Sequence, residues 1–466
     1  MLYEKVVDPN QKISRVEQVV EEVPEVAGLQ SYEYLRSAAN SQKEAFINGD
    51  IDELDFTLPD LDLDAVLRLR DPMLLALRTL MPNETNPKSE ALYRAIEYRY
   101  TELFMLNMAR IMNYDDSSGD EHYTPAEKSE AETEFKLANE ALYGKPDKDV
   151  FSGLAQKKLV KKLAPKDSDD DGIRTLRAEL GNLLGEIDES NYAPFSPDPE
   201  LVARIGALIH ERFDYLVDHI DPAKIYEVAD IEQAMKIGLE KLGAIELGWD
   251  TKVVPHSSDL STSAHQRLME IGENRLALPG QELKGKLLHE EAVHAGRSIN
   301  AEKAGWISAA YGQDGYLPFE ESFATALEDA YNGKFTDHGQ DQYLVAGLAY
   351  GLDNHGPRDF RETYEIMWRS NALKNTKKGN VSDSEIAKAK SSAFAVCYRM
   401  FRGTNGHQKG IIYLKDLAYF QGQEPVWNIL KNVHTQADLD ILFAGKLDNS
   451  RPDHQAIAEQ IMSQAA

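Results

Sequence analysis

The sequence predicts an α+β protein that is predominantly helical, with a small β-sheet beside a helix that carries the motif H-E-x-x-x-H. Apolar residues recur at the spacing of amphipathic helices over long stretches. Shorter runs of β-branched and apolar residues precede the motif and predict strands. The predicted helices span residues 90–113, 201–220 and 231–247, with a helix or frayed tail at 455–464 and a motif helix that begins at Pro279–Gly280.

Along its 466 residues the chain is expected to form three regions. Residues 1–113 predict an N-terminal helical region, and residues 114–200 a polar connecting region with helical segments. Within the latter, residues 115–134 are acidic and poor in large apolar side chains, which predicts a loop or exposed connection. Residues 201–466 hold the chemistry-bearing motifs and form the predicted catalytic domain.

Three short strands are predicted close to the motif. Arg267–Ile271 and Arg275–Leu278 predict a hairpin around the turn 272–274, and Thr251–Val254 predicts a third strand. The second strand of the hairpin leads into the motif helix, where it is placed to pair with an extended peptide. A purely structural hairpin is an equally open interpretation.

The motif itself is His289-Glu290-Glu291-Ala292-Val293-His294. Two imidazoles can hold a zinc ion, and the glutamate beside the first can take a proton from a zinc-bound water. On a regular α-helix, however, residues five apart diverge by about 140°. The two histidines can share one metal only if the helix contains a one-residue π-bulge, and the alternative is an ordinary helix with two surface histidines.

A second helix, predicted to start at Pro318, supplies a candidate third ligand. Glu321 follows His294 by 27 residues, and a zinc site with an open position needs three protein ligands. In the alternative interpretation Glu320, Glu321 and Glu328 solvate one helix face, where glutamates in the first turn suit the helix dipole.

These motifs together resemble the tyrosine carboxypeptidases, a family that includes the microtubule-associated enzyme and bacterial proteins with a QEGLA motif. Its E-G-L-A-like segment corresponds to Glu321-Ser322-Phe323-Ala324. Its R-x-F-R-G and K-D-L-x-Y segments correspond to residues 398–403 and 413–419. The resemblance covers roughly residues 200–425. Val293 stands where many members have Thr, and Ser322-Phe323 replaces Gly-Leu, which affects substrate fit more than metal binding.

The resemblance implies one zinc ion per chain, held by His289, His294 and Glu321, with Glu290 as general base. It therefore implies a zinc metallopeptidase, a hydrolase that removes the C-terminal residue of a peptide or protein, with tyrosine or another aromatic residue as the expected preference. Zinc would activate water and polarise the scissile carbonyl, while Glu290 would carry the proton to the leaving amine.

A carboxypeptidase must also hold a free carboxylate, which the planar fork of arginine does best. Arg399 and Arg402 are three residues apart on a helix that ends at Gly403, so they can face the same way. The alternative is two solvated cations that suit the helix dipole. Tyr413, Lys415 and His407 are further candidates for substrate contact.

Two other functions are compatible with these motifs. A dipeptidyl-peptidase-like exopeptidase also uses H-E-x-x-x-H with paired glutamates, but it would capture the N-terminus of its substrate. A peptide-binding protein that keeps zinc without turnover is the third alternative, although all ligands and the base are present.

Composition limits the partners. The chain carries 51 Lys plus Arg against 78 Asp plus Glu, a net charge of -27 that repels nucleic acid and anionic membranes. One cysteine, Cys397, excludes an intramolecular disulfide framework and is expected to pack on a helix. The chain starts without a signal-like segment and has no apolar run of membrane-spanning length. These features predict a cytoplasmic enzyme.

One acidic segment imitates a calcium site. Asp167–Gly172 resembles the first half of an EF-hand loop, but Ala178 stands where the bidentate glutamate should be. A solvated loop is the favoured interpretation.

Overall fold

The computed structural model describes residues 35, 38–56, 73–78, 87–114, 123–255, 259–375 and 380–465. Helices hold 64% of these residues and strands 5%. The predicted fold class, α+β with a strong excess of helix, is confirmed. No helix among the described residues is both long and apolar enough to cross a membrane.

Nineteen α-helices lie within the described ranges, and a π-helix, Leu288–Ala295, joins two of them. The α-helices are α1 Lys43–Asn48, α2 residues 73–78, α3 Pro87–Met112, α4 Pro125–Tyr143, α5 Lys148–Lys158, α6 Asp171–Leu183, α7 Pro199–Val217, α8 Val228–Lys241, α9 Gly280–Leu287, α10 Gly296–Lys303, α11 Ile307–Tyr311, α12 Leu317–Tyr331, α13 Gln340–Ala349, α14 Phe360–Ala372, α15 Asp383–Phe401, α16 Ala418–Gln421, α17 Gln423–Leu430, α18 Gln436–Asp440 and α19 Pro452–Ala465.

Short 3₁₀ segments connect several of these helices. They are Ala38–Gln42, Val160–Lys162, Ile245–Leu247, Leu373–Asn375, Leu414–Leu417 and Ile441–Phe443. The stretch predicted as one helix over 231–247 is therefore α8 followed by a 3₁₀ turn. Gly243 breaks it, with a positive φ of 69° that favours glycine.

Five short strands form two sheets before the motif. They are β1 Ile225–Tyr226, β2 Asp250–Val254, β3 Leu260–Ser263, β4 Leu268–Gly272 and β5 Leu278–Pro279. The order in the larger sheet is β2-β4-β3, with β2 parallel and β3 antiparallel to β4. β1 and β5 form a separate antiparallel pair that leads into α9.

The predicted hairpin is wrong, although its first strand and the strand over 251–254 are confirmed. Both edges of β4 are already taken, because Gly272 N donates to Asp259 O and Glu273 N donates to Val254 O. Residues 275–277 are not in a strand, and Leu278 pairs with β1 instead. The edge strand beside the motif is β3. Its Ser- and Thr-rich sequence lacks the apolar pattern that predicts a strand.

The connecting region is more helical than its polarity suggests. Residues 115–122 lie outside the described ranges, but α4 occupies residues predicted as a loop. Thr124 and Glu127 form a capping box at its start, and Pro125 occupies the first turn. This local chemistry explains how a helix of low apolar content begins there.

The acidic segment over residues 167–172 has a structural role, in a buried ion pair and a helix cap. The Asp169 side chain is buried and pairs with Arg177, with Oδ2 2.7 Å from Nε. Asp170 caps the N-terminus of α6 by accepting a hydrogen bond from Ile173 N.

A single hydrophobic cluster draws residues from all three predicted regions, including Ile96, Phe135 and Phe323. Cys397 packs within it on α15 and is a free, buried thiol, as expected. Through this core, α12 packs against α7 and against the π-helix. These contacts bring the two predicted ligand segments together.

Candidate metal centre

The motif helix widens at the required point. α9 ends at Leu287, the motif occupies the π-helix, and α10 continues from Gly296. Gly296 N donates to Glu291 O, a bond five residues back, and a Cβ at position 296 would lie only 3.3 Å from that carbonyl oxygen. The His289 and His294 rings consequently lie side by side, with centroids 5.0 Å apart. The geometry that the i,i+5 spacing predicts is present.

The third predicted ligand meets these rings. One donor atom from each of His289, His294 and Glu321 lies within 4.8 Å of the others, and all three residues are buried. In particular, His294 Nε2 is 4.0 Å from Glu321 Oε2. The two segments meet because α12 crosses the π-helix.

The donor set fits zinc. Two imidazole nitrogens and one carboxylate oxygen are its usual catalytic ligands, with bonds of about 2.0–2.2 Å, so adjustments of roughly an ångström would close the cluster around one ion. Three ligands also leave a coordination position for water or substrate. No other such cluster of His, Cys, Asp and Glu occurs in the part of the chain that the structure describes.

Glu320, next to the predicted ligand Glu321, hydrogen-bonds the nitrogen of His294 that faces away from the cluster. Its Oε1 lies 2.8 Å from His294 Nδ1, which orients Nε2 toward Glu321. Glu320 also accepts a hydrogen bond from the fully buried Arg297, and Lys446 Nζ lies 3.5 Å away. Burial raises the pKa of Glu320, but Arg297, Lys446 and His294 outweigh it and lower that pKa to about 2. The carboxylate is therefore ionised, as a partner for a metal-ligating imidazole should be.

Glu328 stands behind the other histidine. Its Oε2 is 3.4 Å from His289 Nδ1, within ion-pair distance but without hydrogen-bond geometry. Lys286 lies 3.0 Å from the same carboxylate. Burial raises the pKa of Glu328, while His289 and Lys286 lower it to about 2. The three glutamates of α12 are thus buried around the histidines, and the interpretation as a solvated helix face is wrong.

The two glutamates inside the motif have different environments. Glu290 Oε2 accepts a hydrogen bond of 2.7 Å from Thr262 Oγ1 on β3. Glu291 is fully buried, and neither of its carboxyl oxygens has a hydrogen-bond partner within the described residues. Burial, then the charge of Glu290, raises the pKa of Glu291 well above its usual value. Glu291 packs against α8, where a Cβ at Gly238 would lie 1.9 Å from Glu291 Oε2.

Basic and phenolic groups border Glu321 on the other side. Lys415 Nζ is 4.0 Å from Glu321 Oε1, and the Tyr419 hydroxyl lies near the same carboxylate. Burial, then the charge of Glu321, raises the pKa of Tyr419 well above its usual value. Burial lowers the pKa of Lys415, whereas the charges of Glu321 and Asp416 act to raise it. Arg399 lies over the Tyr419 ring, 5.5 Å from its centroid.

Arg399 and Arg402 face the same way, and Asp416 joins them. Asp416 is fully buried, with Oδ2 2.6 Å from Arg399 Nε and Oδ1 3.3 Å from Arg402 Nη2. The Arg402 side chain is 13% exposed, whereas that of Arg399 is 41% exposed. Arg399 therefore donates through Nε to Asp416 while its side chain stays partly exposed. The interpretation as two merely solvated cations does not describe the pair.

Two weaker candidates lie elsewhere. Tyr413 is fully buried, with its ring against Tyr143 and Arg402, so it offers no surface to a substrate. His407 contacts Phe56 and lines a separate cavity of about 460 Å³. Of the predicted substrate contacts, Lys415 adjoins Glu321, and Arg399 lies over the ring of Tyr419 on the same side of the centre.

Sequence reasoning missed several residues that organise this centre. The role of Glu328 could have been predicted from its spacing. It follows Glu321 by seven residues and so lies about 20° from it around the helix, on the same face. Thr262 and Arg297 carry no such signal, since their roles depend on contacts between segments distant in sequence. Asp416 lies in the K-D-L-x-Y segment, but its pairing with Arg399 is visible only in the structure.

Comparison with models of known protein families finds no matching family, and comparison with curated proteins finds no similar sequence.

We predict that Glu320→Gln weakens zinc binding about 10- to 100-fold, because removing the partner of a ligating histidine typically costs this much. His294→Ala should lose zinc altogether. Chelator competition and elemental analysis measure both effects, with Glu179→Gln as a control, since Glu179 pairs with Arg369 on other helices. Wild-type affinity in Glu320→Gln together with full zinc content in His294→Ala would contradict the centre.

Asp416 provides a pH-dependent prediction. Burial raises its pKa, but Arg399 and Arg402 lower it far below the usual range. Its contribution to stability is therefore complete above the unfolded pKa of about 3.9 and is lost as the pH falls below that value. We expect Asp416→Asn to lower the free energy of unfolding at pH 7 by about 1.5–3 kcal/mol, the range for hydrogen bonds to charged groups.

Urea unfolding at pH 7 and pH 3.5 measures this loss, which should shrink at the lower pH. Asp341→Asn is the matched control, because its pair with Lys158 is at the surface and should contribute less than about 1 kcal/mol. A loss that is the same at both pH values would show that the Asp416 charge is not responsible.

Proposed function

We propose that this protein is a zinc-dependent carboxypeptidase that resembles the tyrosine carboxypeptidases. The observation that carries the proposal is the buried convergence of His289, His294 and Glu321 across a π-helix, with Glu290 beside them. This arrangement supplies three ligands and a separate carboxylate, which is the set that metal-assisted peptide hydrolysis requires. The free, buried thiol of Cys397 suits a reducing compartment, so we propose a cytoplasmic enzyme.

The protein's own groups have distinct tasks in this proposal. When bound, zinc supplies a Lewis acid that polarises the scissile carbonyl and makes water acidic enough to attack. Glu290 accepts the proton of the attacking water and delivers it to the leaving amine. Burial of the centre excludes bulk water, which strengthens each electrostatic contact.

β3 is the natural place for the substrate backbone. It is the edge strand of the larger sheet and packs against the π-helix, so an extended peptide along it would pass the ligand cluster. This role replaces the one predicted for residues 275–278.

Arg399 is the proposed anchor for the C-terminal carboxylate. Its guanidinium is connected to the metal centre through Tyr419, which contacts both Arg399 and Glu321. Asp416 fixes the direction of the guanidinium through Nε, and a carboxylate would bind the two terminal nitrogens of this partly exposed side chain as a fork. Lys415 adds a second positive charge beside Glu321. A preference for tyrosine or another aromatic C-terminal residue rests on the family resemblance.

We predict that Glu290→Gln retains zinc but hydrolyses peptides about 10²- to 10⁴-fold more slowly, because a positioned base contributes this much. Glu291→Gln is the matched control: it changes the adjacent, equally buried residue and should keep most activity. The rates are measured with a C-terminal peptide library, with and without chelator. Undiminished cleavage by Glu290→Gln would remove Glu290 as the base, and loss of zinc would require the ligands to be reassigned.

The bound end of the peptide gives a second prediction. Amidating the C-terminus of a good substrate removes the charge that Arg399 would bind and should reduce cleavage at least about tenfold, which corresponds to about 1.4 kcal/mol. Acetylating the N-terminus should change little, and Arg399→Ala should weaken discrimination between free and amidated peptides. Tolerance of amidation combined with loss on acetylation would favour a dipeptidyl-peptidase-like enzyme instead.

A further inference from the structure

The hydroxyl of Thr262 is the described donor closest to the proposed base. Thr262 lies on β3, where its backbone is paired with Met269 of β4. Its Oγ1 is 2.7 Å from Glu290 Oε2 and 3.4 Å from the Glu290 carbonyl oxygen. Because a hydroxyl has one proton, the shorter contact identifies the carboxylate as the acceptor. A separation of 2.7 Å is typical of a charge-assisted O–H···O⁻ bond.

Both partners are held rigidly. Thr262 is 9% exposed and Glu290 is 6% exposed, so little water competes for the bond. Threonine is β-branched and has few accessible χ1 rotamers, and the strand that carries it is fixed by pairing along its length. Oε2 of Glu290 is therefore held by the sheet through Thr262.

We infer that Thr262 is a positioning residue that holds the Glu290 carboxylate in the orientation needed to accept a proton. The inference rests on the proposed function and adds a role for the sheet, which connects the substrate-binding edge to the base. The described hydrogen bond of the Thr262 side chain is to the Glu290 carboxylate, so its proposed effect on the reaction passes through Glu290.

Three variants separate positioning from a structural role. Thr262→Val keeps the shape and removes the hydroxyl, and Thr262→Ser restores the hydroxyl. Thr251→Val is the matched control, because Thr251 is a buried threonine on β2 of the same sheet whose hydroxyl contacts Glu232. We expect Thr262→Val to lower kcat about 10- to 100-fold, as expected for one lost charge-assisted hydrogen bond, with KM changed less than about threefold.

Zinc content should be unchanged in all three variants, Thr262→Ser should recover most of kcat, and Thr251→Val should match the wild type. Wild-type kcat in Thr262→Val, or equal losses in Thr262→Val and Thr262→Ser, would overturn the inference. A loss confined to KM or to zinc content would overturn it as well.

A readout without turnover separates this inference from the proposed function. If the wild type cleaves no peptide, the proposed function fails, and crystal structures of zinc-loaded wild type and Thr262→Val still test the positioning. The expected result is a Thr262–Glu290 hydrogen bond in the wild type and a rotated or disordered Glu290 carboxylate in the variant. An unmoved carboxylate in Thr262→Val, or a wild-type carboxylate turned away from Thr262, would overturn it.

Discussion

The widened turn at Leu288–Ala295 is the constraint on which the rest of the centre depends. Five residues separate the histidines, and a regular α-helix would direct them about 140° apart. The π-helix turns both rings toward α12, where Glu321 completes the donor set. π-helical turns are rare and occur mostly at functional sites, which supports a functional origin for this one.

Hydrogen bonds between buried charged groups maintain this geometry. Arg297 follows directly after the π-helix, is fully buried, and connects Glu320 with the carbonyl of Leu447 and the side chain of Asn449. The C-terminal segment thus helps to orient His294 through Glu320. Buried charges are tolerated when each has close partners, and removal of one partner leaves the others exposed to a large desolvation penalty.

The centre carries more buried carboxyl groups than its histidines can balance. Five glutamates come from the π-helix and α12: Glu290, Glu291, Glu320, Glu321 and Glu328. Burial keeps the pKa of Glu291 high, and nearby lysines, Arg297 and the histidines balance part of the remaining charge. A divalent cation among His289, His294 and Glu321 would complete that balance.

The sequence predicts what depends on local periodicity and on residue type. The helices over 90–113 and 201–220 follow from spacing within one segment, and so does the need for a widened turn if both histidines bind one metal. Glu321 as the third ligand follows from the family resemblance. The partner of β4 is not predictable in either way, because strand pairing joins segments far apart in sequence, and β3 lacks a clear apolar pattern. The contact of Thr262 with Glu290 and that of Asp416 with Arg399 are not predictable for the same reason. The motif that contains Tyr413 predicts a substrate contact, yet the fold turns its ring into the core. Local chemistry is thus readable from the chain, while the assembly of the centre depends on tertiary contacts.

X-ray absorption at the zinc edge tests the central claim most directly, on protein loaded with one equivalent of zinc. The account predicts a coordination shell of two imidazoles and one carboxylate with bonds of about 2.0–2.2 Å, and loss of that shell in His289→Ala. A shell of oxygen ligands alone, or a spectrum that His289→Ala leaves unchanged, would contradict it.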